Sequence, residues 1–354
     1  METVVTVQHE RLRRMATRLL VAAGAAEADA LVVADHLVDA NLSGHDSHGV
    51  GMLPQYLRAI RGGLVDPRAH AHVDDRGGAV LAVNGRKGFG QVVAREGIAA
   101  GMERARGLGV ALVALRNASH IGRVGAYGEQ AAAAGLVSIH FVNVVGHPPV
   151  VAPFRGADAR FLTNPFCVAL PPSKHEPAVV LDFATSIVAL GKVRVALNRG
   201  ERMGEGVLID SQGRPTADPG VMYQEPRGAI LPFGLHKGYG LALMCELLAG
   251  ALGGGGTLST VPFEKDRITN NMLSFIVDPQ RLPGAGHFEE EVAAAIAYVK
   301  ASPPADPSLP VLVAGEPEIA SRTRRSVEGI PVERATWDEL SASAESVGLR
   351  LEDG

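Results

Sequence analysis

An α/β fold is what this sequence predicts, and three observations predict it. Short apolar runs alternate with longer helical patterns between residues 79 and 145, the rhythm of strands layered against helices. The chain is 46% hydrophobic and carries 42 glycines, which suits a well-packed core with many tight turns. Its 354 residues are long for one core and comfortable for two lobes.

Composition excludes several classes. The net charge is -4, and Lys and Arg are scattered apart from short groups such as Arg322 to Arg325, so no nucleic-acid surface is expected. Cys167 and Cys245 each sit in an apolar run and read as buried thiols in a reducing, cytoplasmic compartment. Arg11, Arg13, Arg14 and Arg18 break the first apolar run, so no signal peptide is expected. The longest apolar segment, Leu241 to Leu252, contains Glu246, is too short to span a bilayer and reads as a core helix.

In chain order, residues 7–23 place Leu12, Met15, Leu19 and Leu20 on one stripe with arginines opposite, an amphipathic helix ended by Gly24. A second helical run, Glu27 to Leu42, leads into NLSGHDSHGVGMLPQY, residues 41–56. There His45, His48, Asp46, Ser43 and Ser47 crowd together between small and apolar neighbours, and in a helix His45 and His48 would share a face. An imidazole beside a hydroxyl and a carboxylate is equipment for moving a proton near neutral pH. The same residues also suit a polar loop with a capping serine. His45-x-x-His48 with Asp46 could chelate zinc, but the spacing is not H-E-x-x-H and no third ligand is apparent, so no metal is expected.

Ala79 to Asn84 reads as a strand, followed by Gly85-Arg86-Lys87-Gly88-Phe89-Gly90 and a helix from about residue 91 to 106. The glycine order is G-x-x-G-x-G, and no acidic residue ends a following strand about 20 residues on, so a standard Rossmann site is disfavoured against a tight structural turn. Val110 to Leu115 is a strand, and Ser119 and His120 fall between it and an alanine-rich helix to Ala134, where open α/β sheets place ligand contacts. A histidine at a turn is also an ordinary capping or surface residue.

Further strands are expected at Val137 to Val145, Val168 to Leu170 and Val179 to Leu181. Asp182 could orient a histidine, while Thr185 or Ser186 could offer a hydroxyl to phosphate, or simply a cap, at the start of a helix running to Leu197. Residues 199–234 read as a long ordered loop. The loop ends in Gly234-Leu235-His236-Lys237-Gly238-Tyr239-Gly240, which places a lysine at a helix start for phosphate or carboxylate without Walker spacing. Asn270-Asn271 precede a strand at Met272 to Val277; a helix is expected over His287 to Lys300, a strand at Val311 to Val313 and a closing helix at Trp337 to Ser346.

Taken together and in this order, SGHDSHGVGMLPQYL, NGRKGFGQ, RNASHIGRVGAYGEQAA, TNPFCVALP, LDFATS, GLHKGYGLALMCELLAG, NNMLSFIVDP and AGEPE resemble the type-2 malate/L-lactate dehydrogenase family of NAD(P)-dependent oxidoreductases, NLSGHDSHGVGM being most like its hydroxycarboxylate dehydrogenase branch. Members act on 2-hydroxy acids, ureidoglycolate, diketogulonate and cyclic imino acids. The resemblance implies a non-Rossmann cofactor-binding domain with its own sheet topology (residues 76–285), a second domain built from residues 1–75 and 286–354, and a cytoplasmic homodimer. It implies that His48 is the proton donor and acceptor, with His120 competing for that role and Ser47 and Asp182 orienting the imidazole. His48, His120, Gly122, Arg123, Val124, Asp182, Phe183, Ala184, Thr185, Ser186, His236, Lys237, Asn270, Asn271, Ala314, Gly315 and Glu316 would line NAD or NADP.

Two positions depart from the family pattern. Met52 stands where many relatives have a carboxylate-binding arginine, leaving Arg58, Arg123 and Arg155 as replacements, and with Leu53 it favours a larger or less polar acid than lactate. Ala314 stands where relatives often carry proline. The expected reaction interconverts a 2-hydroxy and a 2-oxo acid; the alternatives are cyclic imine reduction and a catalytically silent ligand-binding relative.

Overall fold

The computed structural model describes residues 4–350 apart from residue 76 and residues 174–175, so the expected domain boundary at residue 76 lies outside the described residues. Strand β1 (Val4–Val7) leads into helices α1 (His9–Ala22) and α2 (Glu27–Leu42), followed by two 3-10 turns at Asp46–His48 and Val50–Met52. Helix α3 (Leu53–Arg61) holds Pro54 in its first turn, where a missing N–H costs nothing. Leu12, Leu19, Leu20, Leu37 and Leu53 are fully buried with Ile330 and Leu340 from the other end of the chain. Each such side chain contributes about 1.5–3 kcal/mol on leaving water, so both ends are held in one helical core.

The central sheet is built from β2 (His72–Asp75), β3 (Val80–Asn84), β4 (Val110–Ser119), β5 (Val137–Val145), β6 (Phe166–Leu170) and β7 (Val179–Phe183), with α4 (Gly90–Leu108) and α5 (Gly125–Ala133) between strands. After β7 come α6 (Leu190–Arg199), the short strands β8 (Leu208–Ile209), β9 (Pro215–Thr216) and β10 (Ala229–Ile230), and α7 (His236–Cys245). Strand β11 (Thr269–Val277) then inserts into the middle of the sheet, between β4 and β5. Helices α8 (Phe288–Lys300) and α9 (Glu316–Glu328), strand β12 (Ile330–Glu333) and helix α10 (Arg334–Glu345) complete the chain, β12 pairing with β1.

The result is an α/β fold with ten helices and a mixed seven-stranded sheet in the order β2-β3-β4-β11-β5-β6-β7 among the described residues. Only β3 and β4 run parallel; every other neighbouring pair is antiparallel. Helices α4 and α5 cover one face, bringing Ile98 and Tyr127 into one core with Leu81 and Val113 of the sheet. A β-carbon at Gly101 would stand 2.4 Å from Val113, so glycine lets α4 lie close to the sheet.

Several expectations are corrected. The helix expected from Thr185 or Ser186 begins at Leu190 behind Ala189, so neither hydroxyl caps it. Residues 199–234 contain a small three-stranded sheet around Leu208 and Ile230 rather than one long loop, because alternate apolar residues there find a satellite core. Residues 311–313 form no strand. The segment read as a core helix from Leu241 starts at His236 and continues as a π-helix over Glu246–Leu252, with Met244, Leu247 and Leu252 exposed on one side. Buried Glu246 accepts from the Leu258 N–H (2.6 Å) and from the Asn164 amide (2.7 Å), which explains a carboxylate within an apolar run.

Candidate active site

The His48 segment is built on Asn41, the last buried polar residue of α2. Its Oδ1 accepts from the Val50 N–H at 2.9 Å and its Nδ2 donates to Asp46 at 2.7 Å. A β-carbon at Gly49 would stand 2.2 Å from that amide, so the glycine after His48 lets the loop close over Asn41. Helix α9 grips the same loop: Arg325 donates to both Asp46 oxygens (2.7 and 3.1 Å), Glu318 meets His45 Nε2 (3.1 Å), and Ser321 donates to the Leu42 carbonyl. Asp46 is thereby engaged in an ion pair with Arg325 and His45 in a contact with Glu318, while His48 Nδ1 lies 3.0 Å from Ser47 Oγ.

Facing His48 is His120, just past the end of β4. The two imidazoles stack with centroids 5.7 Å apart and planes 16° apart, and both are half-buried. The glycine turn at residues 85–90 places His120: Ser119 Oγ accepts from the Gly90 N–H at 2.9 Å, and a β-carbon at Gly90 would stand 2.4 Å from the His120 carbonyl oxygen. The turn is therefore a structural device, as its glycine order suggests. Two further residues reach His120. Tyr56 Oη lies 2.7 Å from His120 Nδ1, and Gln91 Nε2 donates to Tyr56 Oη at 2.7 Å. Sequence reading passed over both, because Tyr56 reads as a core position of α3 and Gln91 as a helix start.

A third histidine, His36 on α2, packs against Tyr127 at 5.6 Å under residues 121–124. Its buried Nε2 has no partner among the described residues. Gly122 has φ +72°, and a β-carbon there would stand 2.4 Å from that nitrogen, so backbone conformation and space both require glycine. Burial is the first cause that lowers all three imidazoles: His48 to about 4, helped by His45 and Arg123; His120 to about 3, helped by His48 and His36; and His36 to about 3, helped by Arg123. All three are neutral at pH 7.

Arg123 is 3% exposed and donates to Asp39 (2.9 Å) and Glu129 (2.6 Å), which Arg322 also bridges. That network holds α2, α5 and α9 together and commits the Arg123 guanidinium to Asp39 and Glu129 rather than to a substrate carboxylate. Asp182 accepts from the Gly125 N–H at 2.6 Å and bonds to no imidazole among the described residues, so it does not orient His48. Burial pushes its carboxyl up, opposed by Arg123 and the Gly125 N–H. Arg58 pairs with Asp266 (3.1 Å), and Arg155 lies 5.2 Å over the Phe154 ring.

Asp182 opens a cleft also lined by Arg123, Val180, Gly315, Glu318 and Arg322. Phe183 meets Phe233 edge-on at 5.2 Å, and the Phe233 N–H donates to the Thr185 carbonyl, which brings the α7 start beside β7. There His236 and Lys237 are exposed in a first turn that no side chain caps. The α6 start touches the proton site, since a β-carbon at Gly191 would stand 3.3 Å from Ser47 Cβ. Other expected ligands have their polar groups engaged. Thr185 and Ser186 donate to main-chain carbonyls, Glu316 takes Lys300 and the Val313 N–H, and Asn270 and Asn271 brace Asn143, Asn117 and Ile121. Val124 is buried, and Ala314 accepts from the Val180 N–H at 3.3 Å beside Gly315, whose φ is +97°.

Residues 7–341 match the malate/L-lactate dehydrogenase family. The chain belongs to that family. Within it, hydroxycarboxylate dehydrogenase B of Escherichia coli K12 is 47% identical over 328 residues, covering 92% of this chain and 90% of the relative. A solved E. coli chain described as of malate/lactate dehydrogenase type superposes with TM-score 0.94 at 43% identity, covering 99% and 97% of the two chains. A Δ1-piperideine-2-carboxylate reductase from Pseudomonas syringae superposes at 0.81 with 30% identity, covering 96% and 100%. The family assignment makes this chain an oxidoreductase of the hydroxy acid dehydrogenase kind.

Proposed function

We propose that this protein interconverts a 2-hydroxy acid and a 2-oxo acid with NAD or NADP, His48 moving the proton at the C2 oxygen. The observation that carries the reading is the His48–His120 pair: two neutral, half-buried imidazoles stacked with centroids 5.7 Å apart. A neutral imidazole accepts the hydroxyl proton during oxidation and returns it during reduction, and help of this kind is worth about 10²- to 10⁴-fold. Ser47, 3.0 Å from His48 Nδ1, occupies that nitrogen and leaves Nε2 for the substrate.

The residues present fit a nicotinamide cofactor. Asp182 offers a carboxylate, Phe183 an apolar wall, and His236 and Lys237 cationic or hydrogen-bonding groups at an uncapped helix start. When bound, the cofactor supplies or accepts the hydride. This binding unit is not the parallel Rossmann kind, which agrees with the single parallel pair in the sheet. Residues 76–285 form it, while residues 1–75 and 286–354 form the second domain, as the shared helical core supports.

The substrate is an acid larger or less polar than lactate, since Met52 stands in place of an arginine and packs against the helical core. Arg155, which lies over the Phe154 ring, and Arg58, which would have to leave Asp266, are the candidates for its carboxylate. A homodimer is expected to cover the exposed face of Met244, Leu247 and Leu252, and the buried free thiols of Cys167 and Cys245 agree with a reducing cytoplasm. Likeness to the piperideine carboxylate reductase supports a second reading, C=N reduction. Steady-state oxidation of NADH and NADPH with pyruvate, phenylpyruvate and a cyclic imino acid tests both readings. Faster turnover of the imine than of either oxo acid overturns the first.

A further inference from the structure

We infer that Tyr56 and Gln91 are positioning residues that hold His120 as its Nε2–H tautomer, so that His120 donates a hydrogen bond to the substrate while His48 carries the proton. The inference rests on the 2-oxo acid reading for the identity of the acceptor, but its core is a statement about one ring.

Three elements converge on that ring. Tyr56, 5% exposed on α3, places Oη 2.7 Å from His120 Nδ1. Gln91, 1% exposed in the first turn of α4, donates from Nε2 to Tyr56 Oη at 2.7 Å. A phenol has one proton. With its oxygen receiving the amide N–H, that proton goes to His120 Nδ1, which becomes an acceptor. A neutral imidazole with Nδ1 as acceptor carries its hydrogen on Nε2. Turning the amide over would bury its NH2 group without a partner, whereas the present orientation leaves only the Oε1 acceptor unpaired, and unpaired carbonyls are the less costly of the two.

The other side of the ring is free to act. His120 is half-buried, its Nε2 has no hydrogen-bond partner among the described residues, and its face lies against His48. Nothing on the His48 side fixes a donor in the same way, since Ser47 is exposed and its hydroxyl can turn. The stacked pair therefore has two unlike members: a locked donor and an adaptable acid/base. The 85–90 turn serves the same end, because the close approach of Gly90 to the His120 carbonyl is what sets Gln91 beneath Tyr56.

The test reads the tautomer directly. Protein labelled with 15N-histidine is examined at pH 7.5 by long-range 1H–15N correlation, with the His120 signals assigned by their loss in His120→Gln. The wild-type spectrum is expected to show His120 as Nε2–H alone. In Tyr56→Phe the ring becomes a mixture of tautomers, and kcat falls about tenfold with the cofactor KM unchanged, the effect of one lost hydrogen bond. In Gln91→Glu, where an acceptor replaces the donor, the phenol proton turns away and His120 shifts to Nδ1–H. Nδ1–H in the wild type, or Nε2–H alone in Tyr56→Phe, overturns the inference. If no oxo acid is turned over, the tautomer measurement still decides it, so the two readings fail separately.

Discussion

The imidazoles of His48 and His120 come from residues 72 positions apart and meet as a near-parallel stack, centroids 5.7 Å apart and planes 16° apart. Neither is hydrogen-bonded to Asp182; each has its own local partner, Ser47 for His48 and Tyr56 for His120.

Removing His48 is expected to lower kcat with the best oxo acid by about 10²- to 10⁴-fold while leaving the melting temperature close to wild type. Steady-state kinetics of purified His48→Ala checks this, and near-normal turnover would show that another group moves the proton.

Stability is expected to fall as pH drops from about 6.5 toward 4. The sign follows from His36, His48, His120 and His140, held at about 3, 4, 3 and 3 in the folded protein. Above the unfolded value near 6.5 both states are neutral there and pH has no effect through these groups. Below it the unfolded chain takes up protons that the folded one refuses, so each histidine lowers stability by up to about 1.4 kcal/mol per pH unit until its folded value is reached. Urea unfolding at pH 7 and pH 5 measures the slope; equal midpoints would refute it.

Gly122→Ala is expected to cost about 1–3 kcal/mol, since it forces a β-carbon into a left-handed backbone and toward His36. The cofactor KM should rise with it. Wild-type thermal stability in this variant would mean that residues 121–124 relax freely.

Arg123→Met is expected to destabilise the fold by about 3 kcal/mol, the low end for breaking a buried ion pair, because Arg322 still reaches Asp39 and Glu129. Denaturant titration tests this. A variant of wild-type stability with only the oxo acid KM raised would restore Arg123 as a carboxylate anchor.

Leu247→Glu is expected to shift the protein from dimer to monomer in light scattering, as it places a charge on the exposed apolar side of the π-helix. A dimer that persists would move the interface elsewhere.

Much of this was legible from the chain alone. Period and punctuation located α1, α2, β5 and α8 to within a few residues, and residue types marked the cluster at residues 41–56 as a candidate site, which the family resemblance narrowed to His48. The G-x-x-G-x-G order pointed to a turn, and the turn packs against β4. Local pattern did not reveal β1 and β12, because each is only four residues long and gains its stability from the other, more than 320 residues away.

What tertiary structure alone decided is the wiring of the site. Asp182 follows a strand as a relay acid would, yet the fold turns it to the Gly125 N–H. Arg123 reads as a candidate ligand for the substrate carboxylate or the cofactor, yet the fold buries it between Asp39 and Glu129. Tyr56 and Gln91 look like packing residues, and only the meeting of α3, α4 and β4 gives their polar atoms to His120. The physical reason is range. Helix and strand periodicity is written over neighbouring residues, whereas a buried donor must take whatever acceptor the packed fold brings within about 3 Å.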